Sequence, residues 1–444
     1  MTKVWLLCLL AGMMVCFRPP GARAAGQGPA QRGGALSLSA AIAEALEKSA
    51  ELKALARRVE AAESMVRPAA ALPDPMASVG LTNIPVGSGV QLDQDMMSGV
   101  ELMLSQEVPR GEKRRLRARA QSEEAEMLRA RLQDRQNDVV RMVKKAYFDL
   151  QYLEEAVTIT DQNRLLVEDM LAAAEGRYAT GKGMLQDIFQ AQVRLSQMLD
   201  MLVELRQKRA AGGIRLNKLM YRPPTEPVGE LAPLSRTGRP GGEEGMEERA
   251  ISGSPALAEM RVRLRQQGIR AELAAQGIRP DFSFAFRYMI RQRLEMNPMS
   301  GDDMWSASVG MSLPWLYRRE KVDEEVRGAR AEQEAAEQEL AAMENELRQM
   351  VEETVTEIGR AEEQLSLVET ALLPQAEGAL SSSRAAYETG KTEFGNLLDN
   401  QMSLYNEQLR RADLAADRER SLADLEYLLG GPPSCRGGEG GSGE

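Results

Sequence analysis

The chain has 444 residues, with 66 Asp and Glu against 56 Lys and Arg, three Cys and no His. The missing imidazole excludes Ser-His-Asp and Cys-His catalysis, His-ligated zinc and two-histidine iron centres, and a formal charge of −10 argues against nucleic acid as a partner. Aromatic residues make up only 4% of the chain, so Ala, Leu, Met and Val carry most of the apolar surface, a balance that favours long helices with narrow apolar stripes over one thick core.

At the N-terminus, Lys3 precedes an uncharged, mostly apolar run from Val4 to Phe17, and Ala22-Arg23-Ala24 supplies small residues two apart before Ala25. Residues 1–24 therefore read as a secretory signal peptide; the run is shorter than the roughly 18 residues a spanning helix needs. Cys8 and Cys16 leave with it, so only Cys435 remains and no internal disulfide can form. The competing reading, lipidation at Cys16, suffers from Met14-Val15, which lacks the small residue such processing prefers. No later segment is apolar enough for a spanning helix, which leaves an exported chain that is soluble, peripheral or a β-barrel.

The remainder reads as one unit written twice, over 25–221 and 246–430. In the first copy the pattern predicts a helix over about 36–67 and a β-hairpin over about 77–105. A long helix over about 112–178 and a further helix over about 185–220 follow. Residues 222–245 form a linker, in which Pro223-Pro224, Pro227, Pro233 and Pro240-Gly241-Gly242 prevent regular structure. The second copy gives a helix over about 246–277, a hairpin over about 282–313, a long helix over about 322–387 and a helix over about 393–430. The Gly-rich tail 431–444 is expected to be disordered. The repeat is sharpest at Tyr178-Ala179-Thr180-Gly181-Lys182 against Tyr387-Glu388-Thr389-Gly390-Lys391, and a unit this long is a duplicated domain and not a short solenoid repeat.

The second hairpin carries the clearest alternation. Phe282, Phe284, Phe286, Tyr288 and Ile290 share one face, and after a polar loop Trp305, Ala307, Val309 and Met311 share another. Such strands of about 9–10 residues fit a tilted transmembrane β-strand or a soluble hairpin with one buried face. The concentration of aromatics in a chain so poor in them favours lipid, with Phe282, Phe284, Phe286, Tyr288, Trp305 and Val309 as lipid-facing candidates. Within 322–387, Leu340, Met343, Leu347, Met350, Ile358 and Leu365 step by three or four or their sums, the seam of a coiled coil, and Pro374 is expected to kink or break the helix. At 1.5 Å per residue the long helices are rods of roughly 100 Å, and two shorter helices end to end match each rod. Four strands cannot close a membrane barrel, so on the membrane reading several copies must pool them.

This order of elements, duplicated, with Tyr-x-x-Gly at each helical turn, resembles the TolC-like outer-membrane factor family. The quoted pieces are Arg177-Tyr178-x-x-Gly181 with Asp187-Ile188-x-x-Ala191-Gln192, and Leu373-Pro374-Gln375-Ala376 leading into Tyr387-x-x-Gly390 and Leu397-Leu398-Asp399. The resemblance implies a mainly α fold with a membrane β-barrel: a homotrimer forming a 12-stranded pore in the outer membrane of a Gram-negative bacterium, continued by a periplasmic α-helical coiled-coil tunnel. It also implies an inner-membrane pump and a periplasmic adaptor as partners, no catalysis, no cofactor and no resident metal. Carried over residue by residue, the turns Tyr178, Gly181, Lys182, Gly390 and Lys391 would meet the adaptor. Asp187 and Tyr387 stand where the family has gate residues; its gate arginine is replaced by Thr392, with Lys391 as a substitute. At the constriction the chain reads Asn396 and Asp399, and a symmetry-repeated Asp399 would form a ring that attracts cations.

Pro73-Asp74-Pro75 and Ser105-Gln106-Glu107-Val108-Pro109 look like members coupled to heavy-metal pumps, yet seam methionines such as Met343 and Met350 read first as flexible core filling. A periplasmic adaptor or a coiled-coil scaffold without a pore is the alternative. An adaptor normally carries one helical hairpin followed by β-rich domains, and a scaffold leaves the aromatic alternation at 282–290 unexplained.

Overall fold

The computed structural model describes residues 35–84, 92, 97–232, 238, 245–291 and 302–431. The expected signal peptide, linker residues 233–237 and 239–244, residues 432–444 of the Gly-rich tail and the tips of both hairpins lie outside the described residues.

Helices α1 (Leu38–Lys48), α2 (Ala50–Ser64) and α3 (Val66–Ala70) occupy the first predicted helix. The single helix expected there is corrected to three. Ser49 ends α1 and turns the chain, and its hydroxyl accepts the Leu52 N–H at 3.2 Å to start α2. After strands β1 (Met76–Thr82) and β2 (Gly99–Val108) come the 69-residue helix α4 (Gly111–Ala179) and helix α5 (Leu185–Leu219). The expected helix over 246–277 is likewise split, into α6 (Met246–Gly253) and α7 (Pro255–Ala275). Ser254 caps Leu257 at 3.4 Å and Pro255 opens the new helix, where its missing N–H costs nothing.

Strands β3 (Phe282–Arg291) and β4 (Met304–Met311) lead through the one-turn helix α8 (Pro314–Tyr317) into α9 (Arg319–Leu367). The long helix expected over 322–387 is also corrected. A π-helical turn at Val368–Leu372 separates α9 from α10 (Leu373–Glu388), in which Pro374 lies in the first turn. Proline offers no N–H, and its ring presses on the carbonyl of residue 370; the wider turn absorbs that clash without breaking the rod. Helix α11 (Phe394–Leu428) closes the chain.

The four strands form one antiparallel sheet in the order β1-β2-β3-β4. Its register aligns Val79 with Leu102, Leu102 with Tyr288, and Tyr288 with Trp305; one rung further Leu104 meets Phe286 and Phe286 meets Ala307. Side chains alternate between faces. One face is therefore apolar across all four strands, from Val79 and Leu81 to Trp305 and Val309, and those four are 52–74% exposed. The opposite face carries Ser78, Glu101, Arg287, Ser306 and Ser308, with an Arg287–Glu101 ion pair at 2.8 Å. Phe286 stacks on Trp305 with ring centroids 6.3 Å apart.

The helices pack along α4 and α9 in several apolar clusters. One joins Ile42, Val140, Val143, Tyr147, Phe148 and Leu216; another joins Leu257, Leu347, Val351, Ile358, Leu422 and Leu425. Around the first lies a belt. The segment at Leu36 bridges Leu231 in parallel, and the Tyr147 hydroxyl donates to the Leu36 carbonyl at 2.7 Å and accepts the Ala232 N–H at 3.1 Å.

Candidate functional site

The end of the helical bundle remote from the sheet is built by two turns of the same design. Each ends a long helix with glycine in the left-handed region, Gly181 at φ 71° and Gly390 at φ 74°. Lys182 N–H donates to the Arg177 carbonyl at 2.9 Å and Gly181 N–H to that of Tyr178 at 2.9 Å. Lys391 and Gly390 repeat this on Ala386 at 2.8 Å and Tyr387 at 3.0 Å. These are Schellman closures, which satisfy the last helical carbonyls and need a residue that tolerates positive φ. The hydroxyls of Thr180 and Thr389 donate to carbonyls of the preceding turn.

Between the turns sits a small cluster of Ala174, Ala191, Tyr387, Phe394, Leu397 and Leu398. Tyr387 is 5% exposed and its ring lies 5.2 Å from that of Phe394. The Tyr387 hydroxyl donates to Asp187 Oδ2 at 3.4 Å, linking α10 to the first turn of α5, where the same oxygen accepts the Met184 N–H at 3.4 Å. Burial and then the Asp187 charge push the phenol above its ordinary pKa, so it stays a protonated donor throughout the physiological range.

Arg177 is the residue that sequence reasoning assigned no role. Its guanidinium lies 4.7 Å from the centroid of the Tyr387 ring. Its Nη1 donates to the carbonyls of Tyr387 at 2.9 Å and Glu388 at 3.1 Å, and its Nη2 to that of Lys182 at 3.2 Å. One side chain thus ties the two turns together. The signal that could have found it is the pairing of an arginine in one copy of the turn with alanine, Ala386, in the other.

Lys391 is exposed, joins the turn through its backbone N–H, and lines a cavity of about 450 Å³ with Arg177, Lys182, Asp187, Tyr387 and Glu393. Tyr178 is 48% exposed. Asn396 donates to the Thr392 hydroxyl at 3.2 Å, and Asp399, next to Leu398 of the cluster, is exposed on α11. Further along, Asn163 and Thr160 on α4 meet Gln408, Gln401 and Tyr405 on α11 in a polar ladder, with Thr160 and Tyr405 hydroxyls 3.0 Å apart. Among the described residues no group of His, Cys, Asp or Glu is placed to hold a metal, and no helix is long and apolar enough to cross a membrane.

With this geometry in view, comparison with known proteins decides the family. The model described as "Outer membrane efflux protein" matches residues 41–220 and 247–431. The chain belongs to the outer membrane efflux protein family. Its fold is similar to that of the outer-membrane channel OprN, with a TM-score of 0.75 and 19% identity over 89% of this chain and 90% of that one. VceC from Vibrio cholerae gives 0.73 and 18% over 89% and 96%, and CusC gives 0.76 and 16% over 89% and 92%. No curated protein sequence matches the chain. This efflux-family protein is an outer-membrane efflux channel, mostly helical with a small antiparallel sheet and with its helical part in the periplasm. The family is one of passive outer-membrane channels whose members function within tripartite efflux systems, which implies adaptor and pump partners.

Proposed function

We propose that three copies of this chain pool their sheets into one closed 12-stranded barrel whose apolar face meets outer-membrane lipid. The observation that carries this reading is the sheet itself. Its apolar face crosses all four strands, interrupted at Gln106 opposite Phe284, while among the described residues β1 and β4 are edge strands, each paired on one side only. Such edges are not tolerated in lipid, and pairing β4 of one copy with β1 of the next removes them all. The helices continue the barrel as a periplasmic tunnel through which substrates pass without chemistry.

The tip is the gate and the adaptor contact. The Gly181-Lys182 and Gly390-Lys391 turns are the most outlying parts of the bundle end and present exposed lysines to a partner. The Asp187–Tyr387 contact and the Arg177 clamp hold α4, α5 and α10 in the resting arrangement, and Asp399, repeated by symmetry, sets a cation-attracting ring nearby. Cross-linking of intact cells followed by outer-membrane fractionation tests the assembly: a trimer in the outer-membrane fraction is expected, and a soluble periplasmic monomer overturns it.

A further inference from the structure

At the foot of the sheet, where strands give way to helices, lies a cavity of about 730 Å³. Its wall includes Lys113 and Arg117 of α4, Arg270 of α7, Arg279 before β3 and Arg318 before α9, against the carboxylates Glu107, Asp281 and Glu325. Two of the acids are engaged. Asp281 accepts Lys113 Nζ at 2.7 Å and the Arg110 N–H at 3.0 Å, and Glu325 lies 3.7 Å from Lys321. The four arginines are a different matter. Among the described residues none of Arg117, Arg270, Arg279 and Arg318 has a carboxylate within ion-pairing distance or a side-chain hydrogen bond.

Many other arginines of the molecule lie in ion pairs. Arg135 holds Glu51 and Asp138, Arg418 holds Glu362 and Glu419, and Arg420 holds Asp149. Four guanidinium groups from four separate elements converge on one concavity with their forks unused, and a planar fork is shaped for bidentate contact with phosphate or carboxylate oxygens. The local field already shows on Asp281: burial alone would raise its pKa, yet hydrogen bonds from Lys113 and the Arg110 N–H and the charges of Lys113 and Arg117 leave it lowered. The cavity also has a defined side. Glu107, Asp281 and Ser312 continue the register of the polar face, the face of Glu101 and Arg287, and Ser312 N–H donates to the Asp281 carbonyl at 2.9 Å.

We propose that this cavity binds an oxyanion of the phosphate class carrying two or more negative charges. The site stands on the protomer alone; that it faces the channel interior rests on the trimeric barrel proposed above. Repeated in three copies it makes a cationic girdle between barrel and tunnel, which concentrates anionic solutes there and slows their passage. Two sources share this chemistry, a soluble phosphorylated solute and a phospholipid headgroup.

Calorimetric titration of the full chain in detergent separates them, with pyrophosphate as one probe and the short-chain lipid dihexanoylphosphatidate as the other. Saturable binding of pyrophosphate that weakens at least tenfold in the quadruple variant Arg117→Gln, Arg270→Gln, Arg279→Gln, Arg318→Gln supports a soluble solute. The same loss confined to the lipid supports a headgroup. Binding of neither probe, or binding that the variant leaves unchanged, overturns the proposal. Should the quadruple variant fail to fold, the corresponding four-lysine variant keeps the charge and loses the forks; a several-fold weaker affinity is expected, and an undiminished one overturns the assignment. The titration needs no conducting channel, so it is independent of the assembly, which bilayer conductance without added anion tests.

Discussion

At the scale of single residues, the tip is held by contacts that join sequence-distant helices, and each contact is weak enough to be opened. A 3.4 Å hydrogen bond from the Tyr387 phenol to Asp187 is long, and hydrogen bonds to charged groups contribute about 1.5–3 kcal/mol at best. On the gate reading proposed above, such contacts should yield to a partner that binds the turns. Replacing Asp187 with Ala and Tyr387 with Phe together should raise single-channel conductance or the open fraction several-fold in planar bilayers; unchanged currents would remove these residues from the gate. Arg177 makes a separate prediction. Lysine keeps the charge but cannot span three carbonyls while covering the Tyr387 ring, so Arg177→Lys should loosen both turns by about 1–2 kcal/mol. The amides of Lys182 and Lys391, which close the two helices, should then exchange with deuterium roughly tenfold faster, whereas those of α9 should not change.

At the scale of elements, the alternation of Phe282 to Ile290 announced a strand because side chains that point to opposite faces must alternate when only one face is apolar. The long helices were equally legible from their seams, since burial at Leu347, Ile358 and Leu365 follows the same spacing that marks them in the sequence. The breaks at Ser49 and Ser254 escape the periodicity, although Ser254-Pro255 is a start signal in its own right, whereas the π turn at Val368–Leu372 adjoins Pro374, where a kink or break is expected. An apolar stripe continues across such breaks, so periodicity alone hides them. The tip cluster is legible only in part: the repeat marks Tyr387 and the family resemblance marks Asp187, but Arg177 acts on a turn more than two hundred positions away, and nothing local reports that contact.

The belt between elements gives a pH prediction. Arg222, just beyond α5, grips Glu44 on α1 with both carboxylate oxygens, and Lys48 adds a contact at 2.7 Å. The Arg222 hydrogen bonds, opposed by burial and assisted by Lys48, lower the Glu44 carboxyl from 4.5 to about 2. A carboxyl held low stabilises the fold fully above its unfolded value and loses that contribution as pH falls through the folded value. Glu44→Gln should therefore cost roughly 1–2 kcal/mol at pH 7, after allowance for solvent screening. The gap in melting temperature between variant and native chain should close between about pH 4.5 and 2; a gap that stays constant across that range would show that shape, and not charge, holds the belt.

At the scale of the whole molecule, the two faces of the sheet are chemically opposed although both are open to solvent in the protomer. A water-soluble hairpin would cover the apolar face with helices, but Val79, Trp305 and Val309 are each 68–74% exposed and, among the described residues, no helix packs over them. On the barrel reading proposed above, that face meets lipid, which tolerates it provided the sheet edges close. The two faces should then respond differently to the same substitution. Arginine at Phe284 would stand in the hydrocarbon and should cost about 2–4 kcal/mol, depending on its depth. Arginine at Ser308 lies on the polar face beside residues such as Arg287 and should cost far less. In cells, Phe284→Arg should deplete the trimer from the outer membrane while Ser308→Arg accumulates normally, with reduced cation conductance as the trace of its added charge. Equal depletion by both substitutions would mean that the sheet packs against protein on both sides, and the barrel reading would fall with it.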